Sequence, residues 1–313
     1  MKPTSHIWKN GALIPWEQAT THVLTHALHY GTGVFEGVRA YETEQGPAIF
    51  RAKEHMVRLI DSAKIYRMPL QLTATELVDA TKLLIQANAL KSCYIRPLVY
   101  YGYGVMGLDP RKNPVETMIA AWEWGTYLGD EGIKNGIRVK VSSWARIDSR
   151  IMPSLAKCTA NYANSILAKQ EALDAGCDEG LLLNMQGSVA EGPGENIFVI
   201  RDGVLATTPS SENVLQGITC QSIVAIARDL GYTVEYRKIA RDELYVADEL
   251  FFTGTAAEVT PIREVDGRTI GAGSRGPITE RLQRAFFDAV AGRNPKYNHW
   301  LEYVTPVATL KNH

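Results

Sequence analysis

PSLAKCTANYANS, residues 153–165, sets a single lysine, Lys157, among small and mostly uncharged residues. A helical pattern begins at about Lys157 and runs to about Ala175. A helix starts with the positive end of its dipole, so an ammonium there gains nothing from the macrodipole. On this stretch alone the ordinary explanation is a surface lysine, its stem over apolar neighbours and its head in water. Whether Lys157 does more depends on what the rest of the chain brings to it.

The chain has 313 residues, more than one hydrophobic core usually organises, which predicts two domains sharing a cleft. Lys and Arg number 33 against 34 Asp and Glu, so no basic excess exists to neutralise a polyanion, and nucleic acid is not an expected partner. No apolar run reaches the length that spans a bilayer, and MKPTSHIWKNGALIPW at the N-terminus lacks the apolar centre of a signal peptide. A cytoplasmic protein without a membrane partner is expected. Cys93, Cys158, Cys177 and Cys220 lie far apart with no C-x-x-C spacing, which suits reduced thiols rather than a disulfide frame or a zinc site.

Working outward from residues 153–165, the patterns divide at GTYLGDEGIKNG, which is rich in glycine and charge. Before it, Asn10-Gly11 predicts a hairpin turn, VFEGVRAY and GPAIFR predict strands, residues 52–67 and 74–90 predict helices, and CYIRPLVYYG and MIAAWEWG return to strand. After it come the strand IRVKVSSW, the helix from Lys157, and the strands EGLLLN and ENIFVI. A turn at Asp202-Gly203, a helix over SIVAIARDLG, strands TVEYRKI and ELFFTG, and a last helix PITERLQRAFFDAV follow. The expected organisation is a small α+β domain over residues 1–127, a linker over 128–136, and a larger α/β domain over 137–313 that carries Lys157.

Three glycine-containing turns in the second half carry chemistry. LQGIT, residues 215–219, precedes a helix and offers backbone N–H groups and a hydroxyl at its positive end, a natural seat for a phosphate. FFTGTAAEVTP, residues 251–261, leads a strand into small residues that let a ligand approach the backbone closely. SVAEGPGEN, residues 188–196, holds Glu191 on a loop stiffened by glycine and proline, where a carboxylate could pair with a buried cation. An amine, a carboxylate and two phosphate cradles are the parts that pyridoxal phosphate needs. The lysine carries the covalent link and moves protons, the carboxylate keeps the pyridine nitrogen protonated, and the cradles stop the ring from drifting.

The blocks HALHYGTGVFEGVRAY, YIRPLVYYG, PSLAKCTANY, EGPGENIFVIRDG, LQGIT and FFTGTAAEVTPI resemble, in the same order, those of the branched-chain amino-acid aminotransferases. Those enzymes belong to the fold-type IV class of pyridoxal phosphate enzymes. The resemblance implies the two-domain, D-amino-acid aminotransferase-like fold with the cofactor at the domain interface. It also implies transamination between Leu, Ile or Val and 2-oxoglutarate in two half-reactions through a Lys157 aldimine. Lys157 would be the Schiff-base lysine, Glu191 the partner of the pyridine nitrogen, and Tyr162 the donor to the phenolic oxygen. Arg58, Ile218, Thr219 and Thr255 would hold the phosphate. Phe35, Tyr30, Tyr162 and Trp124 would line the apolar pocket, while Tyr94 and the Thr255-Ala256 backbone would bind the α-carboxylate. A homodimer or higher homo-oligomer is implied, with Met106 of GVMGLDP contributing to the neighbouring subunit's pocket.

Strand alternation aligns Phe35, Gly37 and Arg39 on one face of their strand, and likewise Tyr94 and Arg96 on one face of theirs, with Gly37 leaving room where a side chain would block. A pocket that accepts glutamate as well as leucine needs a cation or several donors at its rim, because an unpaired carboxylate in an apolar site costs several kcal/mol or more. Arg96 is the candidate, with Tyr30 and Tyr127 adding hydroxyls; a structural ion pair is its alternative role. Two rival functions stand beside this one. A D-amino-acid aminotransferase or an aminodeoxychorismate lyase would use the same cofactor parts. His22, His26 and His29, at helical spacing in THVLTHALHY, could instead be metal ligands, although no carboxylate is interleaved.

Overall fold

The computed structural model describes residues 2–125 and 128–304. Two compact units divide the chain: Met1–Trp124 with Ala156–Ala160 and Asp288–His313, and Gly125–Leu155 with Asn161–Phe287.

The first unit holds strands β1 (His6–Lys9), β2 (Ala12–Pro15), β3 (Gly33–Phe35), β4 (Val38–Thr43), β5 (Gly46–Phe50), β6 (Cys93–Tyr101) and β7 (Val115–Trp122). Its helices are α1 (His26–Tyr30), α2 (Ala52–Ile65) and α3 (Ala74–Ala87). The expected hairpin forms, with Asn10 and Gly11 both at positive φ (48° and 98°), as a two-residue turn between strands requires. In the sheet, β5, β4, β6, β7, β1 and β2 lie in that order, and β3 pairs with β6. Met56 and Leu59 of α2 and Leu77 and Leu84 of α3 bury one face of this sheet together with Val34, Val38, Ile95, Val99 and Ile119.

VFEGVRAY, expected as one strand, breaks at Glu36 and Gly37. The cause lies across the ladder. Phe35 pairs with Leu98 and Val38 with Ile95, so β3 and β4 share one register on β6. Between them the Glu36 N–H donates to the Pro97 carbonyl at 2.9 Å, but proline has no N–H to return the bond. The shared register leaves Val34, Glu36 and Val38 on the helix-covered face. Phe35, Gly37 and Arg39 share the opposite face with Tyr94 and Arg96, as alternation predicts.

Lys157 is not in a helix. The segment around it runs against β3: the Phe35 N–H donates to the Lys157 carbonyl at 2.9 Å, and Val34 and Cys158 form an antiparallel bridge. The Thr159 hydroxyl bonds the Gly31 and Gly33 carbonyls, at 2.9 and 3.1 Å. Helix starts only at Tyr162, after one 3-10 turn. This corrects the expected domain limits, since backbone pairing with β3 assigns Lys157 to the first unit rather than to a domain over 137–313. The expected linker over 128–136 is likewise part of a unit. It coils into α4 (Gly129–Asn135), whose Ile133 carbonyl accepts the Gln283 amide at 3.0 Å.

The second unit holds β8 (Ile137–Val141), α5 (Tyr162–Asp174), β9 (Glu179–Leu181), β10 (Asn196–Arg201), β11 (Val204–Thr207), α6 (Ile218–Asp229) and β12 (Val234–Tyr236). These are followed by β13 (Glu249–Gly254), β14 (Glu258–Val265), β15 (Arg268–Thr269) and α7 (Pro277–Val290), which continues into the part of the chain that returns to the first unit as β16 (Leu301–Tyr303) on β5. The sheet order is β12-β11-β10-β13-β14-β8-β9. Sequence reasoning missed β14, because Pro261 within it argues against a central strand.

Strands β10 and β13 are antiparallel, with Asn196 opposite Thr253, so the start of one and the end of the other share one edge of the sheet. The first turn of α6 reaches the same place. A Cβ on Gly217 would lie 1.9 Å from the Asn196 amide oxygen, so only glycine fits before that helix. At the other end of β13 the buried Glu249 carboxylate accepts the Ile278 and Thr279 N–H groups at 2.9 and 2.7 Å, capping α7 from a distant strand. Glu249→Ala should therefore lower the unfolding free energy by about 1–3 kcal/mol, through two lost charge-assisted bonds at a helix N-terminus. Urea denaturation followed by far-UV circular dichroism measures it, with Glu249→Gln expected to lose less.

Candidate active site

In the first unit the residues form a connected set on and beside β3, β4 and β6. The Lys157 N–H donates to the Ser62 hydroxyl at 3.1 Å, and the Lys157 ammonium lies 5.1 Å from the centroid of the Phe35 ring. Arg96 also meets that ring, its guanidinium carbon 4.6 Å from the centroid. Arg96 donates to the Tyr94 hydroxyl at 3.1 Å, and Trp124 meets the Tyr94 ring edge-on at 4.6 Å. The Arg96 Nε is buried without a hydrogen-bond partner, and Arg96 makes no ion pair among the described residues. The space at Gly37 is occupied: a Cβ there would lie 2.1 Å from the Tyr94 hydroxyl, so glycine is required to seat that tyrosine.

Arg58 is fixed by a group that the sequence reading did not single out. Glu36, fully buried on the helix-covered face, accepts Arg58 through both oxygens, Nε–Oε1 at 2.7 Å and Nη2–Oε2 at 2.9 Å. The His55 ring nitrogen Nδ1 meets Oε2 at 2.7 Å. Burial acts to raise the Glu36 pKa, but the Arg58 charge and the His55 contact outweigh it and hold the carboxyl well below the usual range. Burial, helped by Arg58 and Lys157, pushes the His55 imidazole down against the pull of Glu36. A neutral imidazole facing a carboxylate carries its proton on Nδ1 and donates it. No sequence signal marks Glu36, since an acid between Val34 and Val38 resembles any strand acid until α2 covers it.

In the second unit the Glu191 carboxylate is buried at the sheet edge described above. One oxygen pairs with the Arg146 Nε at 2.8 Å; the other accepts the Leu215 N–H at 3.1 Å and the Asn196 amide at 3.2 Å. Arg146 was also missed, because nothing in SSWARIDSR distinguishes it from Arg150, which is exposed. Ile218 and Thr219 open α6, and the Gly217 cap contributes no side-chain bond to its first turn. First-turn N–H groups have no acceptor within the helix, so this buried turn fits a phosphate. Thr255 and Ala256 follow β13, half-buried, and Tyr162 is the first residue of α5. Tyr30 ends α1 and Met106 lies on the loop after β6, both partly exposed. Tyr127 lies outside the described residues.

The three histidines have other partners. The buried His26 ring bonds the Thr32 hydroxyl and the Gly107 carbonyl, His29 meets the Val23 carbonyl, and His22 accepts the Leu24 N–H. Among the described residues no group of three or more metal-ligating side chains is assembled.

The first unit thus holds a lysine in extended backbone and an arginine locked on a buried acid, and the second a braced carboxylate and a glycine-led helix start. The family model for amino-transferase class IV matches residues 33–265. A branched-chain-amino-acid aminotransferase of Pseudomonas aeruginosa is 52% identical over 294 residues, 94% of this chain and 95% of that protein. One of Escherichia coli is 46% identical over 304 residues, 97% of this chain and 98% of that protein. The crystal structure of the T.th. branched-chain amino acid aminotransferase with pyridoxamine 5'-phosphate superposes with a TM-score of 0.94 at 52% identity, covering 97% of this chain and all of that one. The chain belongs to the class IV aminotransferases and, within them, to the branched-chain-amino-acid aminotransferases. Its cofactor is pyridoxal 5'-phosphate. The D-amino-acid aminotransferase, lyase and metalloprotein alternatives are not favoured, given relatives of one activity across nearly the whole length.

Glu36 and His55 make the first unit acid-sensitive in one direction. A carboxyl depressed in the fold contributes stability that is complete above its ordinary value of 4.5 and is lost as pH falls through the lower folded value. An imidazole depressed in the fold stays neutral while the unfolded chain takes up a proton below 6.5, so it too favours unfolding as pH falls. Glu36→Gln leaves Arg58 without its counter-charge in a buried site and should cost about 3 kcal/mol at neutral pH. The slope of stability between about pH 5 and about pH 3 should also flatten, which urea titrations across that range would show.

Proposed function

We propose that the enzyme exchanges amino groups between Leu, Ile or Val and 2-oxoglutarate, with each residue of the site in a defined role. The observation that carries the glutamate half is Arg96, a half-buried arginine whose Nε is buried and unbonded, with no carboxylate partner among the described residues. Its charge rests against the Phe35 ring, a contact worth about 0.5–2 kcal/mol, which leaves its donors to a ligand carboxylate. A structural ion pair, the alternative role, has no observed partner to support it. Leucine would meet the faces of Phe35 and Trp124, while the distal carboxylate of glutamate would meet Arg96, with hydroxyls of Tyr30 and Tyr127 completing its shell.

Pyridoxal phosphate, when bound, supplies an electron-accepting ring conjugated with the amino group being transferred. Lys157 would hold the cofactor covalently at rest and, as a free amine, would take the substrate Cα proton on Nζ and return it. Its main chain, bonded to Phe35 and Ser62, keeps the amine beside the apolar Phe35 ring. Arg58, oriented by Glu36, holds the phosphate together with Thr255 and the N–H groups of Ile218 and Thr219. Glu191 keeps a proton on the pyridine nitrogen, and Tyr162 donates to the phenolic oxygen. Tyr94 and the Thr255-Ala256 backbone receive the α-carboxylate.

A homo-oligomer belongs to the same proposal. Met106 shares its loop with Val105 and Leu108, the last 91% exposed, an apolar edge suited to a neighbouring subunit's pocket. The four free cysteines agree with a reducing cytoplasm.

Borohydride reduction of the yellow holoenzyme should fix the cofactor on Lys157, read by peptide mass mapping; label on another lysine would reject the assignment. Arg96→Leu should slow the single-turnover half-reaction with glutamate by about 100-fold or more, consistent with roughly 3 kcal/mol for an unpaired buried carboxylate, and leave that with leucine nearly unchanged. Equal losses for the two amino acids would remove Arg96 from the site.

A further inference from the structure

The assignment of Glu191 to the pyridine nitrogen raises a question of its own: what keeps that carboxylate from taking the proton it is meant to leave on the ring. A buried carboxylate with only neutral donors is driven towards its protonated form by desolvation. Glu191 is buried, with 6% of its side chain exposed, and so is its counter-ion Arg146, with 8%. Oε1 carries the Arg146 Nε at 2.8 Å, whereas Oε2 has the neutral Leu215 N–H and Asn196 amide at 3.1 and 3.2 Å.

Arg146 is itself held from several directions. Its N–H donates to the Leu183 carbonyl at 2.7 Å, and its Nε lies 3.4 Å from the Asn213 carbonyl. The Asn213 side chain accepts the Ser149 N–H at 3.2 Å and donates to Asp148 at 3.3 Å. Asp148 in turn is occupied by the exposed Arg150. The guanidinium is therefore committed to Glu191 in the folded chain rather than to a surface network.

We infer that Arg146 is a positioning residue that keeps the Glu191 carboxylate ionised and a poor proton acceptor, so that the proton they share stays on the cofactor's pyridine nitrogen. The inference rests on the Glu191 role proposed above and adds a second residue to it. A cation attached to one oxygen withdraws charge from both, and the proton then lies on the more basic partner, the ring. Without that cation the buried carboxylate becomes the better base, and the proton moves to Glu191 to leave two neutral partners.

The proton's position can be read without turnover. Holoenzyme loaded with pyridoxamine phosphate labelled with 15N in the ring should show the upfield resonance of a pyridinium in the wild type. Arg146→Gln keeps a donor to Glu191 but removes the charge, and its resonance should move towards that of neutral pyridine. Arg146→Lys restores a cation and should return it towards the wild-type position. Should Arg146→Gln fail to fold, Arg146→Met makes the same prediction. Glu191→Gln separates the two levels. A resonance that moves in Glu191→Gln but stays in place without the Arg146 charge overturns the inference alone. A resonance unmoved in Glu191→Gln overturns the Glu191 assignment and the inference with it.

Discussion

One backbone hydrogen bond organises the first unit's chemistry: the Phe35 N–H to the Lys157 carbonyl, 2.9 Å. It makes the lysine segment an added edge on β3, so the amine is delivered by a strand-like main chain whose direction is set by the ladder. Rigid elements place reacting groups more tightly than loops do. The same strand presents Phe35 to one face and Glu36 to the other, so a single register puts the apolar ring beside the amine and the acid beneath the helix that carries Arg58.

Each unit contains a buried carboxylate joined to a buried or nearly buried arginine. Glu36 pairs with Arg58 through a two-point fork, with His55 as a third donor, while Glu191 pairs with Arg146 at one oxygen and leaves the other to neutral donors. Such pairs add little net stability, because desolvation offsets much of the attraction, yet losing one partner costs several kcal/mol. That asymmetry suits a site better than a core. In the Glu36 pair the acid fixes the orientation of an arginine through two oxygens; in the Glu191 pair the arginine meets the acid at one. Arg96 differs from both, with its Nε buried and unbonded and no ion pair among the described residues.

Several local features were legible because they carry local signals. Asn10-Gly11 and Asp202-Gly203 announce turns, LQGIT announces a glycine-led helix start, and strand alternation correctly aligns Phe35 with Gly37 and Tyr94 with Arg96, which the register then brings onto one face. Glu36 and Arg146 were not legible. An acid in a strand and an arginine in a loop have no local feature that marks burial, and their partners lie 22 and 45 residues away in the chain. The strand over Glu258–Val265 was hidden by its proline, and the helix expected from Lys157 was displaced because pairing with β3 claims the residues that pattern alone assigned to its first turn.

The sequence by itself determined the two-part α/β and α+β organisation, the lysine segment and the glycine-led turns, and the family. Those depend on residue type and short spacing, which the covalent chain carries directly. Only the tertiary structure decided that Lys157 belongs to the unit built from the N-terminal sheet, that Gly37 exists to seat the Tyr94 hydroxyl, and which arginine answers to which acid. The physical reason is that ladder pairing and desolvation act between segments far apart in the chain. A charge becomes a buried partner only after the fold has taken water away from it.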